Sequence, residues 1–578
     1  MFRQSRALFA LAVCLAITSA PVAQVEHLVL DGWTQDEVAH YYEMQHPAAQ
    51  SLGLLRTSAV AQRAMIAGTS EPFAIHAGFK VLEQGGSAVD AALTTSLAQV
   101  ALTAGAAISY AGLMTAVYYD AKTATVYSLN AGYNTVKGET DPLSIPPFPQ
   151  HSGRTALVPG FMAGVEALHK RFGRLKFEQL FGPAISIAGQ GVPFTPLVAA
   201  WLRQAKPFVT RLPEGKRIFT KEDGTDHAVG DLFQQPELAA TLTKVAARGA
   251  AYMYTGEWAN RFVEAVQREG GKMALSDLAA YSVQWQEPAV VSYRDHEVAT
   301  LGNPSSGGRL TAWNFALAEE ANLAAREHYA TSPESLFDLI QISRNANRLG
   351  FSGADPTRET AAAEWNRIRN TTSTTSPIQT PATNHSAGVI ALDDHGNVAV
   401  VLHTINGLLW GSTGLFVDGV SIPDSASLQQ PLVDRAGPGN RLGDTTNPLI
   451  VLKSGKPVLA SVAIGSALHQ VTLQNVLNIL DFGKDPKSSV AIPNTRGPYL
   501  GVTVNAPPQP NYQQEAVAEG DFAEAVLDGV RERGQQIRVL PSSDQSQMGY
   551  WIGIQIDPKT GELSGAASSK LNSLVEGL

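Results

Sequence analysis

The residue type best placed for chemistry is Thr383, in the stretch Pro381-Ala-Thr-Asn-His-Ser-Ala-Gly-Val-Ile390. Ahead of it, Asn370 to Thr380 is hydroxyl-rich and uncharged, a composition that buries no apolar area and predicts a mobile loop. Behind it begins a β-alternating segment. A threonine at that junction suits one chemistry in particular. If the Ala382–Thr383 bond is cut, Thr383 carries a hydroxyl nucleophile and a free α-amine of near-neutral pKa to take the hydroxyl proton. The plainer alternative is that Thr383 only opens a strand, where its branched side chain suits a pleated surface.

The elements that must position Thr383 are legible on both sides. Val389, Ile390 and Leu392 lead into the polar turn Asp393-Asp-His-Gly-Asn397, and Val398 to Ile405 returns as a second strand. Earlier, Phe73 to Leu82 and Asp90 to Ala98 carry helical spacing, with Asp90 as an N-terminal carboxylate. Met114–Tyr119 and Thr125–Leu129 predict a hairpin, and residues 161–280 read as mainly helical, with Ser276 as the cap of a helix from Leu275. Tyr293 to Thr300 predicts one strand before Asn303-Pro-Ser-Ser-Gly-Gly308, and Leu310 to Ala325 a helix. Leu449–Leu452 and Pro457–Ser461 predict paired strands. The turn Ala463-Ile-Gly-Ser466 then opens a helix to Leu480, a place where an amide could face an oxyanion. Tyr550–Ile556 and Gly561–Leu563 form a last hairpin.

Composition excludes several classes. A net charge of −9 with 16% charged residues gives no basic face for nucleic acid. The one cysteine, Cys14, lies in a basic, short-apolar leader read as a signal peptide over residues 1–23. The mature chain is then free of thiol chemistry, and no later apolar run is long enough to span a membrane. The expected location is the periplasm or outside the cell. His385, His395 and His403 are read as motif, turn and packing residues, so neither metal nor organic cofactor is expected.

Thr383-Asn-His385, Thr404-Ile-Asn406 and Gly411-Ser-Thr-Gly414 resemble the nucleophile block of the γ-glutamyltranspeptidase family. So do Gly85-Gly-Ser-Ala-Val-Asp-Ala-Ala92, Val158-Pro-Gly160 with Gly164, Asn303-Pro-Ser-Ser-Gly-Gly308 and Pro438-Gly-Asn-Arg441, in the family's order. The resemblance implies an α/β fold of the N-terminal-nucleophile hydrolase type, an αββα four-layer sandwich. It implies an N-terminal extension over 24–63, a heavy chain over 64–382 and a light chain over 383–578, released from one precursor. It also implies site roles: Thr383 as nucleophile, Thr404 hydrogen-bonded to it, Gly465 in the oxyanion hole, and Asn406, Asp444 and Thr445 at the substrate. The partners would be a small amide or peptide substrate and water or an amine acceptor.

Departures from the pattern bear on the substrate. The family's arginine for the substrate α-carboxylate has no counterpart in Tyr127 to Asn134, unless Arg154 or Arg441 reaches the pocket. Its acidic amine-reading segment is replaced by Ile422-Pro-Asp-Ser-Ala-Ser427, its paired serines by Asp444-Thr445, its first oxyanion glycine by Ile464, and its glycine-rich run by Ser109 to Met114. The sequence therefore predicts a self-processing threonine amidohydrolase or acyltransferase with γ-glutamyl preference in question. The alternative is a processed ligand-binding or catalytically impaired relative.

Overall fold

The computed structural model describes residue 25 and residues 27–370, 386–499, 511–542, 544 and 548–578. The leader and the stretch 371–385, with Thr383, Asn384, His385 and the Ala382 junction, lie outside the described residues.

Two seven-stranded antiparallel sheets form the centre. Fourteen strands build them: β1 Ser58–Ala61, β2 Met65–Gly68, β3 Leu113–Asp120, β4 Thr125–Ala131, β5 Gln284–Gln286, β6 Ala289–Tyr293 and β7 His296–Thr300, followed by β8 Ala387–Leu392, β9 Val398–Thr404, β10 Leu449–Lys453, β11 Lys456–Gly465, β12 Gly549–Ile556, β13 Leu563–Ala567 and β14 Leu574–Gly577. One sheet runs β1-β13-β12-β11-β10-β7-β6 and the other β14-β2-β8-β9-β3-β4-β5.

Strand periodicity sorts the core into layers. Ile390, Val400 and Leu402 of one sheet pack against Ile450, Val462 and Ile552 of the other. Their neighbours Val389, Ala399 and Val401 face the opposite way, into helices α1 Gln35–Glu43, α2 Pro72–Glu83, α3 Ala88–Leu102 and α4 Phe161–Phe172. Val298, Val451 and Ala463 face α5 Ser306–Ala321, α6 Pro333–Gly350 and α7 Leu468–Leu480. A period of two with both faces apolar is what a strand buried between a sheet and a helix layer requires. The αββα sandwich that the family resemblance implies is thus the observed architecture.

Asp90 sits at the start of α3, where its carboxylate accepts from the Ser87 amide at 2.9 Å and from the Arg174 amide at 2.8 Å. Three local expectations are corrected. Tyr293 to Thr300 is not one strand: Arg294 takes φ +54 and the chain reverses between β6 and β7. Ser276 does not cap the helix from Leu275, since the Asp277 carboxylate takes the Ala274 amide at 2.8 Å. Ala463 to Gly465 is the end of β11 rather than a turn, because those residues continue the ladder to Trp551, Tyr550 and Gly549.

Candidate active site

The register fixes where the chain enters its strand three residues after the candidate nucleophile. Ala387 pairs with His403, so Ser386 enters β8 beside the C-terminal end of β9, where Thr404 pairs with Leu113 of β3. Thr404 is buried and its hydroxyl oxygen accepts from the Asn406 amide at 3.1 Å. Asn406 is buried and takes φ +49.

The other sheet comes to the same end. A Cβ added to Gly388 would lie 3.0 Å from Val462 Cγ1 and 3.6 Å from Ile464 Cγ2, so β8 and β11 are in close face-to-face contact there. Gly465, the next residue of β11, has φ +89, and a Cβ on it would fall 2.3 Å from the Met548 carbonyl oxygen. Both the backbone angle and the space require glycine.

The segment that replaces the family's glycine-rich run wraps this end. A Cβ on Gly112 would sit 2.8 Å from the Thr404 carbonyl oxygen. The Ala107 amide donates to the Leu409 carbonyl at 2.7 Å, and the Ile405 amide to the Ala107 carbonyl at 3.2 Å. Ala104, Ala107 and Leu409 hold φ of +52, +65 and +48. Together with Asn406, four non-glycine residues in the left-handed region meet around one loop, a concentration of backbone strain typical of functional sites. Composition gave no sign of it, because alanine and leucine carry no signal for positive φ.

Asp444 and Thr445 lie in the turn facing the start of α5. The Asp444 carboxylate accepts from the Thr446 amide at 3.1 Å and from the Thr446 hydroxyl, with the Ser305 hydroxyl at 3.4 Å. Its backbone carbonyl accepts from the Ser306 hydroxyl at 2.6 Å and the Gly307 amide at 2.9 Å. Burial raises the Asp444 carboxyl above the ordinary carboxylate range, and its Oδ2 is buried without a hydrogen bond. Gly307 explains part of the Ser-Ser-Gly-Gly motif: a Cβ there would lie 2.0 Å from the Thr446 carbonyl oxygen. Thr445 is half-buried.

The two cations considered as substitutes are both engaged. Arg154 pairs with Glu139 through Nε at 2.8 Å and Nη2 at 2.9 Å. Arg441 lies against the strand region that has no cation of its own, donating to Asn134 Oδ1 at 2.7 Å, to the Asn130 carbonyl and Oδ1 at 2.6 and 2.9 Å, and to the Ser282 carbonyl at 2.6 Å. Its guanidinium also stacks 4.8 Å over Tyr281. His403 is held neutral by burial, its pKa lowered to about 3, and its Nε2 lies 3.0 Å from Gln99 Oε1. His395 is an exposed turn residue 3.9 Å from Asp394. Among the described residues no group of three His, Cys, Asp or Glu side chains could hold a metal ion.

One acid near this end escaped the sequence reading. The Thr69 amide donates to the Gly388 carbonyl at 3.1 Å and the Gly388 amide to the Thr69 hydroxyl at 3.0 Å, so the loop after β2 runs beside the start of β8. Two residues on, Glu71 takes φ +65, is buried and accepts from the Gln45 side-chain amide. Burial pushes its carboxyl up to about 7.

The gamma-glutamyltranspeptidase family model matches residues 74–573. The chain belongs to that family. It is 26% identical over 473 residues to glutathione hydrolase proenzyme 1 of Schizosaccharomyces pombe, covering 74% of this chain and 73% of the relative. With the glutathione hydrolase proenzyme of Bacillus subtilis it shares 24% identity over 561 residues, 88% and 91% of the two chains. In fold it is similar to cephalosporin acylase from Bacillus halodurans, with a TM-score of 0.76 at 21% identity over 90% of this chain and 97% of that one. As a member of the family the protein is an N-terminal-nucleophile hydrolase. No helix among its described residues is long and apolar enough to cross a membrane.

Proposed function

We propose that this family member is a precursor that cuts itself between Ala382 and Thr383 and then uses Thr383 to cleave an amide whose acyl end is not γ-glutamyl. The observation that carries the reading is the convergence of Thr404 and Gly465 on the end of β8 that Thr383 precedes in sequence. In processing, Thr383 Oγ attacks the Ala382 carbonyl carbon. The amide nitrogen leaves with the hydroxyl proton, and water hydrolyses the resulting ester to free a heavy chain of roughly residues 24–382.

In the mature enzyme the freed α-amine takes the Thr383 hydroxyl proton as the oxygen attacks a substrate amide. That proton passes to the leaving amine, and water or an acceptor amine resolves the acyl-enzyme. The Gly465 region would supply donors for the oxyanion, Thr404 would hydrogen-bond the nucleophile, and Asn406, Asp444 and Thr445 would contact the acyl end. The engagement of Arg441 by Asn130 and Asn134 supports a substrate without an α-carboxylate. The leader supports export to the periplasm or beyond.

Mass analysis of purified protein tests the reading. Wild type should yield two chains, the smaller beginning Thr-Asn-His, while Thr383→Ala stays intact and Thr383→Ser splits more slowly. A wild-type chain that remains whole for days at neutral pH would overturn it.

A further inference from the structure

A cavity of about 690 Å³ opens between α1, α2, β1 and β14. Ten of its thirteen lining residues fall outside the span 74–573 that matches the family. Glu576 pairs with Ile66, which pairs with Ala391. The cavity's deepest acid is therefore two strands across from β8 and roughly 17 Å along it from Ser386. It is not the site described above.

Charge and shape at this cavity point one way. Four carboxylates, Asp36, Glu37, Glu83 and Glu576, line it with one cation, Arg56. A second cation, Lys80, bridges Glu37 at 3.2 Å and Glu83 at 2.7 Å, which leaves an excess of negative charge. Behind the acids stands His76, only 3% exposed, stacked on Tyr41 at 3.5 Å and flanked by Phe79 at 5.7 Å. Its Nδ1 lies 2.9 Å from Glu576 Oε2, and the Tyr41 hydroxyl donates to the other oxygen of the same carboxylate.

The remaining ring nitrogen is the decisive atom. His76 Nε2 is buried without a hydrogen bond and is directed toward Glu37, whose Oε1 is 3.8 Å away. That separation is too long for a direct bond. In the tautomer whose Nδ1–H donates to Glu576, Nε2 is an acceptor beside a second acceptor, and a donor group seated between them would bond to both. Tyr41 and Phe79, each stacked on His76, also line the cavity.

We propose that this cavity binds a compact organic cation carrying N–H donors, a primary ammonium or guanidinium group. Isothermal titration of the processed two-chain protein with agmatine, and with choline as a cation lacking N–H, tests it. Agmatine should bind at one site per heterodimer, choline at least tenfold more weakly. Glu37→Gln and Asp36→Asn should each weaken agmatine severalfold, and Glu576→Gln at least tenfold. If Glu576→Gln fails to fold, the two helix variants decide alone. Thr383→Ala should bind agmatine as wild type does. Absence of agmatine binding, equal affinity for choline, indifference to both helix variants, or loss in Thr383→Ala would each overturn the proposal.

Discussion

The hydroxyl oxygens of Thr115 and Thr446 lie 2.8 Å apart, joining β3 in one sheet to the turn that carries Asp444. Both residues are buried, and Thr446 also donates to the Asp444 carboxylate. Removing either hydroxyl leaves a buried polar partner, a cost of about 1–3 kcal/mol. Thr446→Val should cost more than Thr115→Val, because two partners lose a bond rather than one. Urea unfolding of both single variants and the double variant measures the coupling, and strict additivity would show that the bond contributes nothing.

Gly465→Ala should fold poorly or lose activity outright. The added Cβ would fall 2.3 Å from the Met548 carbonyl oxygen at a φ of +89, so β11 and β12 must part at the end that meets β8. Activity per processed chain, measured beside circular dichroism, separates a displaced backbone from a failure to fold. Normal turnover would show that Gly465 is remote from the reaction.

For the substrate, γ-glutamyl anilide and glutathione should be turned over poorly beside glutaryl, acyl or aminoacyl anilides. A carboxylate–guanidinium contact is worth roughly 1.5–3 kcal/mol as a charge-assisted hydrogen bond, about one to two decades in affinity. Arg441 already spends its donors on Asn130, Asn134 and Ser282. The check is kcat/KM across that panel in wild type and Asp444→Ser. Efficient glutathione turnover by wild type, unchanged in Asp444→Ser, contradicts the prediction.

Glu71 predicts a pH dependence of stability. Its carboxyl rises from 4.5 to about 7 on folding, chiefly by burial, so the native state keeps a proton that the unfolded state has lost. Below pH 4.5 both states are protonated and there is no penalty. Stability then falls as pH rises toward 7, and above that the full penalty, about 3 kcal/mol, is present. Glu71→Gln should gain on wild type by that order between pH 4 and pH 8. Parallel urea curves at the two pH values test this, and an unchanged difference refutes it.

Much of the fold was legible because the strands around the site follow simple period-two patterns. Val389 and Ile390, or Val400 and Val401, point to opposite layers and are apolar on both faces. The hairpin at Arg294 was missed because arginine gives no hint of positive φ. The extent of β11 was misread because Gly465 looks like turn punctuation when it is the last residue of a ladder. At the site, glycines and threonines in recognisable order marked the right segments. Partners distant in sequence did not show: Arg441 meets Asn130 across 311 positions, and Gln45, whose amide bonds the buried Glu71, precedes it by 26.

The strand order also constrains the sequence of events in the cell. Strands from before residue 383 alternate with strands from after it: β2 lies between β14 and β8, β3 beside β9, β1 beside β13, and β7 beside β10. A cut after Ala382 therefore leaves five interstrand ladders joining the two products. Neither product holds a complete sheet, and each alone would expose unpaired edges along its whole length. If the chain is cut there, the cut should follow folding, and the severed chains should part only under conditions that unfold the protein.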